Sequence, residues 1–146
     1  MSATNAAETD ILELIFNNTA WANVGDASGL QPSAGAGSLF ISLHTADPGE
    51  TGTQTTSEGT YTSYARVAVA RSGAGWTIVG NNASNAAAIT FPQATGGSAT
   101  ETHFGVGTSL TGVGNLLFSG ALNSSLAVST NVTPEFAIGD LDVNAD

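Results

Sequence analysis

The chain has 146 residues, 41% of them apolar, which is enough for one domain with a real core. It has no cysteine, so a disulfide framework and a thiolate metal site are both excluded. It also has no lysine: two arginines stand against 12 acids, for a net charge of -10, too few cations to displace phosphate counterions from nucleic acid or to hold an anionic membrane.

Only 10% of the residues are charged, and Gly, Ala, Ser, Thr and Asn fill the difference. Such a surface is polar yet nearly neutral, suited to tight turns and to packing against neighbours. The longest apolar run falls far short of the roughly 20 residues that span a bilayer. The first residues, Met1 to Asn5, have neither the basic nor the apolar region of a secretory signal.

In chain order, residues 1–7 are small and polar and read as a flexible arm. Asp10 with Glu13 three residues on is a variant of the capping box. Ile11, Leu12, Ile15 and Phe16 then recur at helical spacing, which predicts a helix of about two turns ending near Asn17-Asn18. So short a helix is not stable alone and must dock on its own domain or on a neighbouring subunit. Residues 22–37, rich in Gly, Ala and Ser with Pro32, read as a long loop.

From residue 38 the signal is β. Leu39, Ile41 and Leu43 alternate with Phe40, Ser42 and His44, and Asp47-Pro48-Gly49 makes a turn. Residues 50–60 form a second exposed loop. Strands are expected at Tyr64–Ala70, from Trp76, at Ala88–Phe91, around Thr102–Val106, at Leu116–Leu122 and at Leu126–Val132, with a turn at Asn81-Asn82. In the last segment Phe136 and Ile138 share one parity, and Leu141 and Val143 the other. A strand with one buried face cannot change parity, so Gly139 is expected to bend or bulge it. About eight short strands with frequent turns predict an all-β fold, a jelly-roll-like antiparallel β-sandwich with a short N-terminal helix. The expected organisation is an arm and helix over 1–21, a loop over 22–37 and the sandwich over 38–146.

No motif for chemistry stands out. His44 and Asp47 form an H-x-x-D pair, better explained by Asp47 bonding its own backbone ahead of Pro48-Gly49 than by a metal or acid–base site. Asp140, Asp142, Asn144 and Asp146 alternate like the first ligands of a calcium loop. The glycine and the terminal glutamate of such a loop are missing, so Asp140 and Asp142 are only a weak alternative metal site. No nucleophile elbow or phosphate loop is present, and neither catalytic residues nor a cofactor are expected. Arg66, inside an expected strand, suits either a charge-assisted bond to a partner subunit or a solvated surface pair. Arg71 reads as a solvated surface pair. Trp21, Tyr61, Tyr64 and Trp76 are candidate sugar-stacking residues, although strand-borne aromatics are more often core.

Several segments together resemble a family of small tailed-phage virion proteins. These are Ile11-Leu12-Glu13-Leu14-Ile15-Phe16, Leu43-His44-Thr45-Ala46-Asp47-Pro48-Gly49-Glu50, Tyr64-Ala65-Arg66-Val67-Ala68-Val69, Ile89-Thr90-Phe91-Pro92, Thr102-His103-Phe104-Gly105-Val106 and Asn115 to Leu122. Members are labelled tail-fibre or structural proteins, and some are similar to jelly-roll cement proteins that decorate phage heads. The resemblance implies a multi-copy protein on the outer surface of the phage head. It would bind the major capsid protein, bridge capsomers, and associate as a dimer or trimer. Ile11, Leu12, Ile15, Phe16, Trp21 and Arg66 are then the candidate capsid or subunit interface. The alternative is a tail-fibre or receptor-binding module. The loop at 22–37 is longer than the family pattern, and the missing lysine is a second departure. An acidic face is repelled by packaged DNA, which agrees with a place outside the shell.

Overall fold

The computed structural model describes residues 2–145. It is all-β and sandwich-like, with three antiparallel sheets and one short N-terminal helix, as the alternation predicts. In chain order the elements are α1 (Asn5–Phe16), β1 (Ser38–His44), β2 (Val67–Ala70), β3 (Trp76–Val79), β4 (Asn82–Asn85), β5 (Ile89–Thr90), β6 (Ser98–Gly107), β7 (Leu116–Ser129), β8 (Glu135–Phe136) and β9 (Asp142–Asn144). Contacts group them into two compact units that interleave along the chain. One holds the residues up to Ser38, Ala70–Ala88 and the residues from Phe136 onward. The other holds Leu39–Val69 and Ile89–Glu135.

In the first unit α1 starts earlier than the capping pattern at Asp10 suggests. Thr4 is extended and accepts from the Ala7 N–H at 3.4 Å, so it is the N-cap, and Glu8 sits in the first turn where the helix dipole favours an acid. The stretch read as a flexible arm is therefore partly helical. The far end is closed by three contacts. The Thr19 N–H returns to the Glu13 carbonyl at 3.1 Å across Asn18, whose φ is 55°. Arg71 Nε and Nη2 donate to the carbonyls of Ile15 and Leu14 at 2.6 and 2.7 Å. Arg71 is thus a helix C-terminal clamp and not a solvated surface pair.

The helix lays Leu12 and Phe16, both 0% exposed, toward the β3–β4–β9 sheet, where Phe16 meets Trp76 edge-on at 4.6 Å. β3 and β4 form a hairpin closed by Val79↔Asn82, and Gly80 supplies the positive φ of 61° that its two-residue turn requires. β4, Asn-Ala-Ser-Asn, has none of the usual strand formers, and its start was expected to be a turn. Ala83 and Asn85 go inside, Ala83 opposite Val143 of β9.

Asn85 ends β4 as a buried hub. Its Nδ2 donates to the Ala87 and Ala137 carbonyls, both at 2.8 Å, and its Oδ1 accepts from the Leu141 N–H at 2.9 Å. Its carbonyl accepts from the Gly139 N–H at 3.0 Å. This hub holds the expected bend at Gly139, where φ is 78°. Ile138 is left 70% exposed before the bend, and Leu141 and Val143 are buried after it.

In the second unit the strand order is β2-β1-β6-β7. β1 and β6 pair antiparallel from Phe40↔Gly107 to His44↔His103. β1 is buried on both faces from Ile41 to His44, because loop residues cover the face that carries Ser42 and His44. The two strands expected at 116–122 and 126–132 are one strand by backbone geometry, but its ladder to β6 is interrupted. Partners jump from His103↔Ala121 to Glu101↔Leu126, so Thr102 alone opposes Leu122–Ser125. A second core gathers Tyr61, Ala94 and Val128, flanked by Tyr64, Ala99, Leu126 and Val132.

Candidate functional site

The most densely bonded polar group in the second unit centres on Arg66. Its Nε donates to Glu58 Oε1 at 2.7 Å and its Nη2 to Glu58 Oε2 at 2.8 Å, a two-pronged ion pair with side chains 3% and 16% exposed. Its remaining donors reach the carbonyls of Ser109 (2.9 Å) and Gly112 (2.8 Å) in the β6–β7 loop. The pairing with Glu58 holds the guanidinium above its ordinary pKa. Tyr64 completes the group: its hydroxyl donates to Glu58 Oε1 at 3.0 Å and accepts from the Leu43 N–H at 3.1 Å. Burial pushes this phenol far up. Arg66 therefore joins two loops of its own chain.

His44 is fully buried one residue beyond that group in β1. Its Nδ1 lies 2.8 Å from the Thr56 carbonyl, which can only accept, so Nδ1 carries the proton; Nε2 then accepts from the Ser42 hydroxyl at 2.8 Å. Burial lowers its pKa, which favours this neutral form. Asp47 stands apart from it and accepts from the Gly49 N–H at 2.9 Å, the local turn expected of the H-x-x-D pair. Gly105 is what lets His44 fit, since a Cβ there would come within 2.6 Å of Nε2.

The expected interface stripe divides. Leu12 and Phe16 are buried inside their own unit, on the helix face that covers β3 and β4. Ile11 remains 39% exposed, and Ile15 and Trp21 are half-buried, with Trp21 paired to Leu30 through backbone bonds at 2.9 Å in both directions. Tyr61 and Trp76 are 2% and 1% exposed and offer no stacking platform; Tyr61 instead donates to the Pro92 carbonyl at 3.0 Å, and burial raises its pKa to about 12. Asp142 Oδ1 accepts from Asn82 Nδ2 at 3.1 Å, while Asp140 is exposed. Among the described residues no group of three or more His, Asp or Glu side chains converges to hold a metal ion. No helix among them is long and apolar enough to cross a membrane.

Two buried polar residues escaped the sequence reading because both lie in segments that look like ordinary loop or strand. Gln54, 0% exposed, accepts from the Ser109 N–H at 2.9 Å and so anchors the same loop that Arg66 grips. Glu101, also 0% exposed, has no hydrogen-bond partner at either carboxyl oxygen. Gly59 lies against it, where a Cβ would be 2.7 Å from Oε1. Burial first, and the charge of Glu58 second, push its pKa up. A groove of about 580 Å³ in this unit is lined by the Asp47–Gly52 turn, His103 and residues 116–121.

These arrangements tie loops to strands, and the Ser42 hydroxyl beside His44 is buried with it. They define a small all-β protein whose buried polar groups serve its fold. The family model of the podophage GP4 fiber I protein gp80 matches residues 2–144, nearly the whole chain. The chain belongs to that family, and it is a phage structural protein of the virion. No curated protein matches it.

Proposed function

We propose that this chain is a component of a podophage fibre, acting by assembly and not by catalysis. The observation that carries the reading is the family match over residues 2–144 to a fibre protein. Burial of Leu12 and Phe16 supports it further, because an N-terminal clasp on capsomers needs that stripe free. The lysine-free, acidic composition supports partners that are proteins, with no role in holding nucleic acid or membrane. Exposed Leu110 and Val113 on the β6–β7 loop, 50% and 61% accessible, support self-association as a dimer or trimer.

The test is the position of the chain on the particle. Gold-labelled antibody against it, viewed by electron microscopy, should mark fibres in few copies. Label spread over the whole head would overturn the fibre reading in favour of a cement protein bound to the major capsid protein. That second reading draws on the surplus of acids, which suits the outside of a DNA-filled shell.

A further inference from the structure

The groove beside β7 combines three properties. The first is its strand edge. β7 closes the sheet order β2-β1-β6-β7, and no further strand pairs with it among the described residues. Alternate residues of such a strand point their N–H and C=O groups away from the sheet. The usual defences of an edge, a charge or a proline, are missing from all of Leu116–Ser129. Bulging does protect part of it: the ladder is irregular at Leu122–Ser125 and again beside Leu117, which leaves the regular pairs Phe118↔Val106 to Ala121↔His103. The groove lies along that regular stretch.

The second property is the sign of its wall. Asp47 and Glu50, both exposed, line it from the 47–52 turn. Asp47 uses one oxygen to cap its own turn and keeps the other. The third is that this chain has no free lysine or arginine to offer them. Lysine is absent, Arg66 is bonded to Glu58 and two loop carbonyls, and Arg71 is bonded to the helix end, Ser33 and Ala36. A second copy would bring the same acids and the same two occupied arginines, so self-pairing here sets like charges together.

We infer that this groove takes up an extended segment of another protein, carrying alternate apolar and basic residues, as an added strand against β7. The main chain of the guest pairs with the β7 edge, its apolar side chains cover Leu117 and Ala121, and its lysine or arginine reaches Asp47 and Glu50. The assignment holds wherever on the virion the chain sits, so its failure and that of the fibre reading are separate results.

The probe is a fluorescent peptide of alternating lysine and valine, about ten residues long, titrated against the full chain by anisotropy. Binding is expected to weaken about tenfold or more in the double variant Asp47→Asn, Glu50→Gln. It should change less than about twofold in Asp140→Asn, Asp142→Asn, which removes the same charge elsewhere. Two N-methylated versions of the peptide, blocked at odd or at even positions, report on the main chain. One should lose binding and the other keep it, because a strand uses only alternate N–H groups toward one neighbour. Equal weakening in the two double variants, equal binding of both N-methylated peptides, or equal binding of a glutamate–valine peptide would overturn the inference. So would a dimer of the chain that excludes the peptide, since a second copy would then occupy the groove.

Discussion

Glu101 is a carboxyl group held without a partner in the interior, and its ionisation has a definite sign. In the unfolded chain it releases its proton near 4.5, whereas burial and Glu58 push that value upward in the folded chain. Between the two values the unfolded state holds fewer protons, so stability falls as pH rises and stays lower above the folded value. Glu101→Gln should flatten this slope and raise stability at neutral pH by about 1 kcal/mol. Urea midpoints measured on either side of 4.5 would show it. A wild-type slope retained in the variant would remove Glu101 as its source. Arg66 carries the opposite lesson. Arg66→Ala leaves Glu58 with only the Tyr64 hydroxyl, and the carbonyls of Ser109 and Gly112 without the guanidinium donor, at a cost of about 3 kcal/mol. Lysine there would restore the charge but not the fork that spans Glu58. Thermal melts of both variants check this; a loss from Arg66→Ala no larger than that of an exposed pair would refute it.

At the scale of elements, the glycines around Gln54 show how tightly the β6–β7 loop is set. A Cβ at Gly107 would fall 2.1 Å from Gln54 Cδ, and Gln54 cannot swing away without releasing the Ser109 N–H. Gly107→Ala is expected to lower stability by about 1–3 kcal/mol, with Gly35→Ala, which meets open space, as the neutral control in the same denaturation series. In α1, Phe16→Ala removes the ring that fills the space beside Trp76 and should cost about 3–5 kcal/mol. That would be read as loss of helix signal on mild heating.

Strands with apolar alternation were legible: Leu39–Leu43, Thr102–Val106 and the parity break at Gly139 all appear where periodicity puts them. β4 was not, because Asn-Ala-Ser-Asn earns its place through Asn85 and through pairing to β9, a strand far along the chain. The helix face was visible from spacing, but not what it covers: Leu12 and Phe16 look the same in sequence whether a partner or their own sheet lies opposite. Arg71 was misread for the same reason, since the helix-end acceptors it clamps are main-chain carbonyls more than fifty residues away, which no side-chain pattern advertises.

For the whole molecule, charge was readable from composition, whereas the roles of the cations were not. Both arginines are tied down, one clamping loops in the second unit and one closing the helix in the first. That has a consequence for digestion. Trypsin needs an arginine or lysine side chain presented on an extended, accessible segment, and the peptide bonds after Arg66 and Arg71 are the only ones it can recognise here. Each becomes available only when its own unit opens, so cleavage rates follow the opening of two separate regions. Folded protein should persist in trypsin for hours while chymotrypsin, with aromatic and leucine sites to choose from, trims its loops. Arg66→Ala should leave a single tryptic cut as the report on the helix-bearing unit.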